Sequence, residues 1–126
     1  MKVILIKPIP APRPRFSRYG TYNPEDYTIY KLALGILIKK HHKKVIDIPL
    51  RLTIDFYLPI PKMSKKKTLE HEGVYHYKKP DLDNLVKAFK DSANAIIYKD
   101  DNIVSSIIAN KYYSEEPRIE YNIEEL

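Results

Sequence analysis

A run of alternating apolar residues between positions 46 and 58 most constrains how this chain can fold. Apolar side chains stand at every second position, with mainly polar residues between them: Ile46, Ile48, Leu50, Leu52, Ile54, Phe56 and Leu58. Successive side chains of a strand point to opposite faces, so the pattern predicts a strand with one buried face. Pro59 and Pro61 end it, because proline cannot donate a ladder hydrogen bond. The chain must therefore build a sheet with a core on one side.

Two helices are predicted around this strand. The first begins at Asn23, a good N-cap, and Pro24, which suits the first helical position. Its apolar face is predicted to carry Tyr30, Ala33, Leu34, Leu37, Ile38 and His41. The second covers roughly residues 82–97, and its core side is predicted to carry Leu85, Phe89, Ala93, Ile96 and Ile97. Both patterns follow the 3.6-residue period of an amphipathic helix.

The remaining segments complete an α+β pattern. Residues 3–7 read as a short buried strand, and residues 62–79 as a basic surface loop. Residues 103–113 and 117–124 are predicted to form a terminal hairpin. The order β-α-β-α-β-β predicts a compact single domain over residues 1–126 on a mixed sheet. The length of 126 residues suits one domain.

Charge is divided unevenly along the chain. Residues 1–79 carry 17 Lys and Arg against 6 Asp and Glu, whereas residues 80–126 carry 5 against 10. Cations that hold a phosphate backbone, beside carboxylates that hold a metal, suit a phosphate-cutting enzyme. A protein with an uneven but inert charge distribution is the alternative. The chain has no cysteine, which excludes disulfides and thiolate chemistry, and no long apolar run or signal peptide, so we expect a cytoplasmic protein.

The segment most informative about chemistry runs from Lys79 to Asp91. Pro80 keeps its predecessor extended, so Asp81 and Asp83 lie at a loop-to-helix junction where both carboxylates can point to one side. From Asp83 onward, Lys87 and Asp91 follow at intervals of four residues on one helical face.

A second acidic group comes about ten residues later, at Asp100 and Asp101. If the following strand lies beside the helix start, Asp101 can approach Asp81 and Asp83, and Mg²⁺ would neutralise the three carboxylates. The structural alternative is a helix cap at Asp83, an ion pair with Lys87 and a turn at residues 100–101. Spacing alone favours that alternative, because capping Asp residues are common.

The whole motif resembles a known enzyme family. The run Pro80-Asp81-Leu82-Asp83-Asn84-Leu85 with Lys87 and Asp91, followed by Asp100-Asp101, is similar to the signature of RusA-type Holliday-junction resolvases. Pro10 to Arg15, the turn at Tyr19 to Tyr22 and the helix opened by Pro24 are similar too, so the resemblance covers most of the chain.

The resemblance implies a homodimeric, Mg²⁺- or Mn²⁺-dependent endonuclease. Such an enzyme makes paired nicks at four-way DNA junctions in recombination and repair, and would act at the nucleoid without a small-molecule cofactor. Its catalytic, metal-binding aspartates match Asp81, Asp83 and Asp101, with Asp100 as the alternative third ligand. Its essential lysine matches Lys87.

Supporting roles are predicted around this centre. Asp91 would orient Lys87, and Asn84 would orient a carboxylate or contact a phosphate. Arg13, Arg15 and Arg18, interleaved with aromatic residues, are predicted to bind DNA, as is Lys79. A solvated loop is the alternative for this strip. A non-catalytic protein that binds branched DNA, or a nuclease that prefers flaps, is the alternative function.

Overall fold

A computed structural model of the protein describes residues 1–12 and 24–126. In these ranges the elements are β1 (Lys2–Ile4), α1 (Pro24–Lys39), β2 (Leu50–Pro59), α2 (Lys65–His71), α3 (Leu82–Ala93), a 3-10 turn (Asp101–Ile103), β3 (Val104–Ser114) and β4 (Arg118–Glu125). They form two compact units. The first comprises Met1–Pro8, Pro49–Lys79 and Val104–Leu126, and the second Ile9–Ile48 and Pro80–Ile103. No helix in the described ranges is long and apolar enough to cross a membrane.

The first unit is built on a four-stranded sheet in the order β1-β4-β2-β3. β2 pairs with β3 in parallel and with β4 antiparallel, and β1 pairs antiparallel with β4. The prediction of an α+β fold on a mixed sheet is therefore confirmed. The alternation predicted for β2 is also present, since every second side chain from Leu50 to Leu58 is buried.

The start of the central strand differs from the prediction. β2 begins at Leu50, not at Ile46, and Ile48 is 44% exposed. Pro49 directly precedes the strand and has no N–H to donate to a neighbour, so the ladder cannot extend through it. Ile46 forms only an isolated bridge with Tyr98, inside the second unit.

The predicted terminal hairpin is wrong. β3 and β4 occur close to their predicted positions, but β2 lies between them in the sheet. The short connection after Ser114 passes the end of β2, where Ser114 is in register with Pro59. Alternation along β2 revealed its buried face but not which strands fill its two edges.

A third helix occupies part of the predicted basic loop. In α2, the Ser64 side chain accepts a hydrogen bond from the Lys67 N–H at 3.3 Å, and the Ser64 carbonyl accepts one from the Thr68 N–H at 2.9 Å. No residue of α2 is buried, so the helix has no apolar stripe that a periodic pattern could reveal.

The second unit consists mainly of α1 packed against α3. The buried residues of α1 are Tyr27, Tyr30, Leu34, Gly35 and Ile38. Gly35 lets the helices approach closely, because a Cβ atom there would lie 3.3 Å from the carbonyl oxygen of Ser92. The face predicted for α1 was partly wrong, since Ala33 and His41 are exposed.

The core side of α3 is confirmed for Leu85, Phe89, Ala93 and Ile97, which are all buried. The helix itself ends at Ala93, earlier than predicted. Ala95 adopts φ 67°, a left-handed conformation that interrupts the helix. Ile97 therefore reaches the core from the turn that follows the helix.

Candidate active site

The first turn of α3 carries the first two predicted site residues. Asp81 is the N-cap, with extended φ and ψ of −71° and 142°, and its side chain makes no capping hydrogen bond. The backbone starts the helix without it, as the Leu85 N–H donates to the Asp81 carbonyl at 3.2 Å. The structural alternative had placed the cap at Asp83, which instead lies inside the helix. Neither carboxylate is buried, and both are accessible to a ligand.

The Asp83 side chain is held by the backbone of the next residue. Its Oδ1 accepts a hydrogen bond from the Asn84 N–H at 2.9 Å. The Asn84 carbonyl in turn accepts from the Ala11 N–H at 2.9 Å, so residues 9–12 are tied to the first turn of α3. This contact fixes the chain two residues before Arg13. The structure thus gives Asn84 a backbone role beside the carboxylate.

Lys87 and Asp91 form an ion pair one helical turn apart. The Lys87 Nζ donates to Asp91 Oδ2 at 2.9 Å. The same oxygen accepts from the Tyr27 hydroxyl of α1 at 3.1 Å. The side chains of Lys87 and Asp91 are 57% and 23% exposed, so solvent screens the pair and it stabilises the fold by at most about 1 kcal/mol. Lysine N-terminal to its partner is also the weaker order on a helix. The contact therefore orients Lys87 more than it stabilises α3.

The second acidic group lies at the start of the 3-10 turn that follows α3 in the chain. Asp101 opens the 3-10 turn, which contacts α3. Burial raises the pKa of the Tyr98 hydroxyl, and the negative charges of Asp101, Asp91 and Asp100 raise that pKa further. Tyr98 also donates to the Lys90 carbonyl at 3.0 Å. Three carboxylates therefore raise the pKa of one buried hydroxyl, which is itself bonded to α3.

No group of three potential metal ligands is found in the described part of the chain. Across residues 1–12 and 24–126, no three His, Cys, Asp or Glu side chains are close enough together to hold a metal ion. The assignment of Asp81, Asp83 and Asp101 as metal ligands therefore remains a prediction. Asp100 Oδ1 accepts from the Asn102 N–H at 3.3 Å, which is the turn contact that the structural alternative predicted.

The donors at the start of α3 nevertheless suit a small hard cation. Asp81 and Asp83 present carboxylate oxygens, and neither side chain is buried. Mg²⁺ typically takes one or two protein carboxylates and completes its shell with water and phosphate oxygens. The chemistry of these two residues therefore fits the metal that the sequence predicted.

The predicted DNA-binding residues are described only in part. Arg13, Arg15 and Arg18 lie outside the described residues. Lys79 is exposed and closes the Pro49–Lys79 segment of the first unit. Their contribution to DNA binding remains a prediction.

Sequence reasoning missed two tyrosines of this site. Tyr27 holds Asp91, and Tyr98 lies in the field of the acidic residues. Tyr98 stands directly before Lys99 and the acidic pair, so its position was a usable signal. The bond from Tyr27 joins residues 64 positions apart, and no local pattern indicates it.

Two comparisons with known proteins bear on this site. The sequence profile of the family described as endodeoxyribonuclease RusA matches residues 6–124. The uncharacterized protein YqaN of Bacillus subtilis (strain 168) is 35% identical over 130 residues, which cover 95% of this chain and 92% of YqaN. The profile match contains every residue assigned above to the candidate site.

Proposed function

Because the chain belongs to the RusA endodeoxyribonuclease family, we propose that it is a metal-dependent endonuclease that resolves four-way DNA junctions by paired nicks. Such cleavage would serve DNA recombination and repair.

The observation that carries the proposal is the arrangement of charge on α3. Asp83 and Lys87 are exposed and Asp91 is half-buried, at intervals of four residues, while Leu85 and Phe89 are buried against the protein. A helix with this division keeps its ionised groups available to a ligand while its core side holds them in place. A merely solvated face would not need the hydroxyl of Tyr27 from another helix to hold one of its acids.

Asp81, Asp83 and Asp101 are the proposed ligands of Mg²⁺, with Mn²⁺ as a possible substitute and Asp100 as the alternative third ligand. These residues would hold the metal, which would supply an acidified water molecule and polarisation of the scissile phosphate. Asp81 and Asp83 place two negative charges at the helix N-terminus, where the helix dipole favours carboxylates but where both carboxylates repel a DNA phosphate. A cation held by these residues would offset that repulsion.

Lys87 would stabilise the negative charge that develops on the phosphate during cleavage. Asp91 is the positioning residue for Lys87, since their 2.9 Å contact fixes where the ammonium points. The bond from Tyr27 leaves Asp91 little freedom to follow a different lysine rotamer. Asp91 itself is proposed to act only through Lys87.

The proposed DNA contacts and the proposed homodimer both follow from the structure of a four-way junction. Arg13, Arg15, Arg18 and Lys79 would neutralise DNA phosphates, which gives affinity without sequence information. Resolution requires cuts on two strands, and one site cannot serve both at once. A two-fold homodimer brings two sites to one junction.

The test is cleavage of a synthetic four-way junction, resolved on a denaturing gel. With Mg²⁺ we expect paired nicks, and excess EDTA should abolish them while DNA binding persists. Ca²⁺ should support binding without turnover, because it prefers more and longer oxygen contacts. A matched duplex and a flap of the same sequence are the substrate controls.

Each outcome decides one part of the proposal. Cleavage that continues in EDTA would refute the metal dependence. Junction binding without cleavage in Mg²⁺ or Mn²⁺ would identify a non-catalytic binding protein instead. Faster cleavage of the flap than of the four-way junction would replace the substrate but keep the nuclease.

A further inference from the structure

Helix α1 has a second apolar face that is exposed in the part of the chain that the structure describes. Ile29, Leu32 and Ile36 are 63%, 65% and 64% exposed, and Ala33 between them is also exposed. These four residues, here named the outer stripe, follow the spacing i, i+3, i+4, i+7 of a helix that packs against another helix. The opposite side of α1 already fills the core with Tyr30, Leu34 and Ile38. Large apolar side chains grouped in this way on a surface indicate an interaction site.

Opposite charges stand at the two ends of the outer stripe. Glu25 lies four residues before Ile29, and Lys40 lies four residues after Ile36. Residues four apart share a helical face, so Glu25 continues the line of the stripe within α1, and Lys40 directly follows the last residue of the helix, Lys39. Both side chains are exposed. The stripe is therefore acidic at its N-terminal end, apolar in the middle and basic at its C-terminal end.

We propose that the outer stripe is the homodimer interface and that it packs antiparallel against the same stripe of a second copy. This deepens the dimer in the proposed function by naming its surface. The two-fold axis passes between Leu32 and Ala33, so Ile29 faces Ile36 of the second copy. Glu25 then faces Lys40 of the second copy, and both contacts occur twice.

Self-complementarity is the argument for a second copy as the occupant. A two-fold interface requires one patch to match itself after rotation. The outer stripe meets this condition in size, because Leu32 falls opposite the small Ala33, and in charge, because each acidic end meets a basic end. A parallel arrangement would bring Glu25 against Glu25 and Lys40 against Lys40, which is repulsive. The charges therefore select the antiparallel dimer.

The proposed packing also sets the distance between α3 of one subunit and α3 of the second copy. Within one subunit α1 lies against α3, and the outer stripe is on the side of α1 away from its buried residues. Packed helices have axes about 8–10 Å apart, so three successive contacts separate α3 from its copy by about 24–30 Å. One dimer would thus carry two separate sites related by the two-fold axis.

Light scattering of the full chain tests the interface. The wild-type protein should have twice the 14.8 kDa chain mass at micromolar concentration. The double variant Leu32→Glu, Ile36→Glu should have the mass of one chain with unchanged circular dichroism, since both residues are on the surface. Leu69→Glu is the matched control, because Leu69 is a 66% exposed leucine on helix α2. A wild-type monomer, or a double variant that stays dimeric, would overturn the proposal.

Charge exchange tests the orientation with variants that should fold normally. Glu25→Lys should weaken the dimer about tenfold, because each exchanged residue then faces Lys40 of the other copy. Lys40→Glu should weaken it similarly. The combined exchange should restore wild-type affinity, as the pairs are then rebuilt with reversed signs. A combined variant as weak as either single one would exclude the antiparallel register.

Cross-linking tests the register itself, and the absence of cysteine makes the background clean. The double variant Ile29→Cys, Ile36→Cys should give disulfide-linked dimers on mild oxidation. Each single variant should stay unlinked, since like positions lie about 10 Å apart along the helices at a rise of 1.5 Å per residue. Linking by a single variant would contradict the register.

These outcomes are independent of the nuclease assay. Junction cleavage by a wild type whose dimer survives the stripe variants would leave the nuclease intact and refute the interface. If the stripe variants dissociate the dimer but the wild type never cuts a junction, the interface would be supported and the nuclease activity refuted.

Discussion

Asp91 connects Lys87 to helix α1 and so orients the lysine side chain. Its Oδ2 accepts from both the Lys87 ammonium and the Tyr27 hydroxyl. Because Tyr27 is buried and comes from α1, the acid is held from a different helix. An exposed lysine thereby gains a defined direction without being buried.

Replacing Lys87 should separate catalysis from stability. We expect Lys87→Ala to slow junction cleavage by about 10²–10³-fold, the typical cost of losing one donor to a developing anion. Its exposed ion pair contributes at most about 1 kcal/mol, so the free energy of unfolding should barely change. Single-turnover cleavage and urea unfolding measure the two effects. Lys99→Ala is the control, since Lys99 is exposed outside the row. Equal effects of both variants would show that Lys87 acts only through overall charge.

Replacing Asp83 tests the metal site. Asp83→Asn keeps the size and the Oδ1 acceptor for the Asn84 N–H, so we expect an intact fold. It removes one negative charge, so apparent Mg²⁺ affinity and turnover should fall together while DNA binding persists or tightens. A Mg²⁺ titration of cleavage, with Asp47→Asn as an exposed control, measures this. Wild-type rates across the titration would make Asp83 a structural acid only.

The residues of this site were predictable to different degrees. Asp81, Asp83 and Lys87 share one helix, so their sequence spacing already determines their relative positions. Tyr27 reaches Asp91 only through the packing of α1 on α3, and no local pattern contains that contact. The relation of Asp101 to the helix start likewise depends on tertiary structure.

At the scale of elements, α2 depends on its first residue. It has seven residues and no buried side chain, so packing contributes little and the cap at Ser64 contributes much. The helix lies in a basic segment with Lys65, Lys66 and Lys67 in its first turn, an unfavourable place for positive charge. We expect it to be the least stable helix of the described chain.

Ser64→Ala should therefore open α2 locally. Loss of an N-cap costs about 1 kcal/mol, which corresponds to about fivefold faster amide exchange at Lys67 and Thr68. Exchange in β2 should be unaffected, because it reports global unfolding. Ser64→Asp keeps the cap and is the control. Unchanged protection in the alanine variant would mean that the Ser64 side chain does not hold the helix.

Elements with a periodic apolar face were predictable, whereas their pairing was not. The alternation along β2 and the apolar face of α3 are sequence patterns that indicate which side chains are buried. Helix α2 has no buried side chain and therefore no such pattern. Adjacency in sequence suggested a β3–β4 hairpin, but the free edges of β2 bind both strands instead. Which strands pair depends on all the strand edges available in the fold, and the apolar pattern of one strand does not reveal its neighbours.

At the scale of the whole molecule, the division of charge remains the best guide to the substrate. The basic residues lie mainly in residues 1–79 and the acidic ones in residues 80–126. The contact between Ala11 and Asn84 ties the chain that leads to Arg13 to the first turn of α3. Arg13 follows Ala11 by only two residues, so the predicted basic strip begins close to this contact in the sequence.

The double variant Arg13→Ala, Arg15→Ala should weaken binding of all junction sequences alike. If each arginine contacts one phosphate, the slope of log affinity against log salt should become shallower by about 2. Anisotropy titrations at several salt concentrations measure it. Lys43→Ala, Lys44→Ala has the same change in net charge and is the control. An equal change of slope in both double variants would attribute binding to overall charge.

The topology of the sheet also sets the order in which the protein can fold during synthesis. β2 needs β3 and β4 at its edges, yet residues 60–103 separate it from the first of them. Among the described strands, β1 comes first in the sequence and pairs with β4, which comes after β3. Until β3 and β4 have been synthesised, β2 has two unpaired edges and an exposed apolar face. Nascent chains in this condition are prone to aggregate. Helices α1 and α3 are complete before that point and can pack together early. We therefore expect α1 and α3 to pack before β4 is made and the sheet to close only afterwards, so fast synthesis would increase the risk of misfolding.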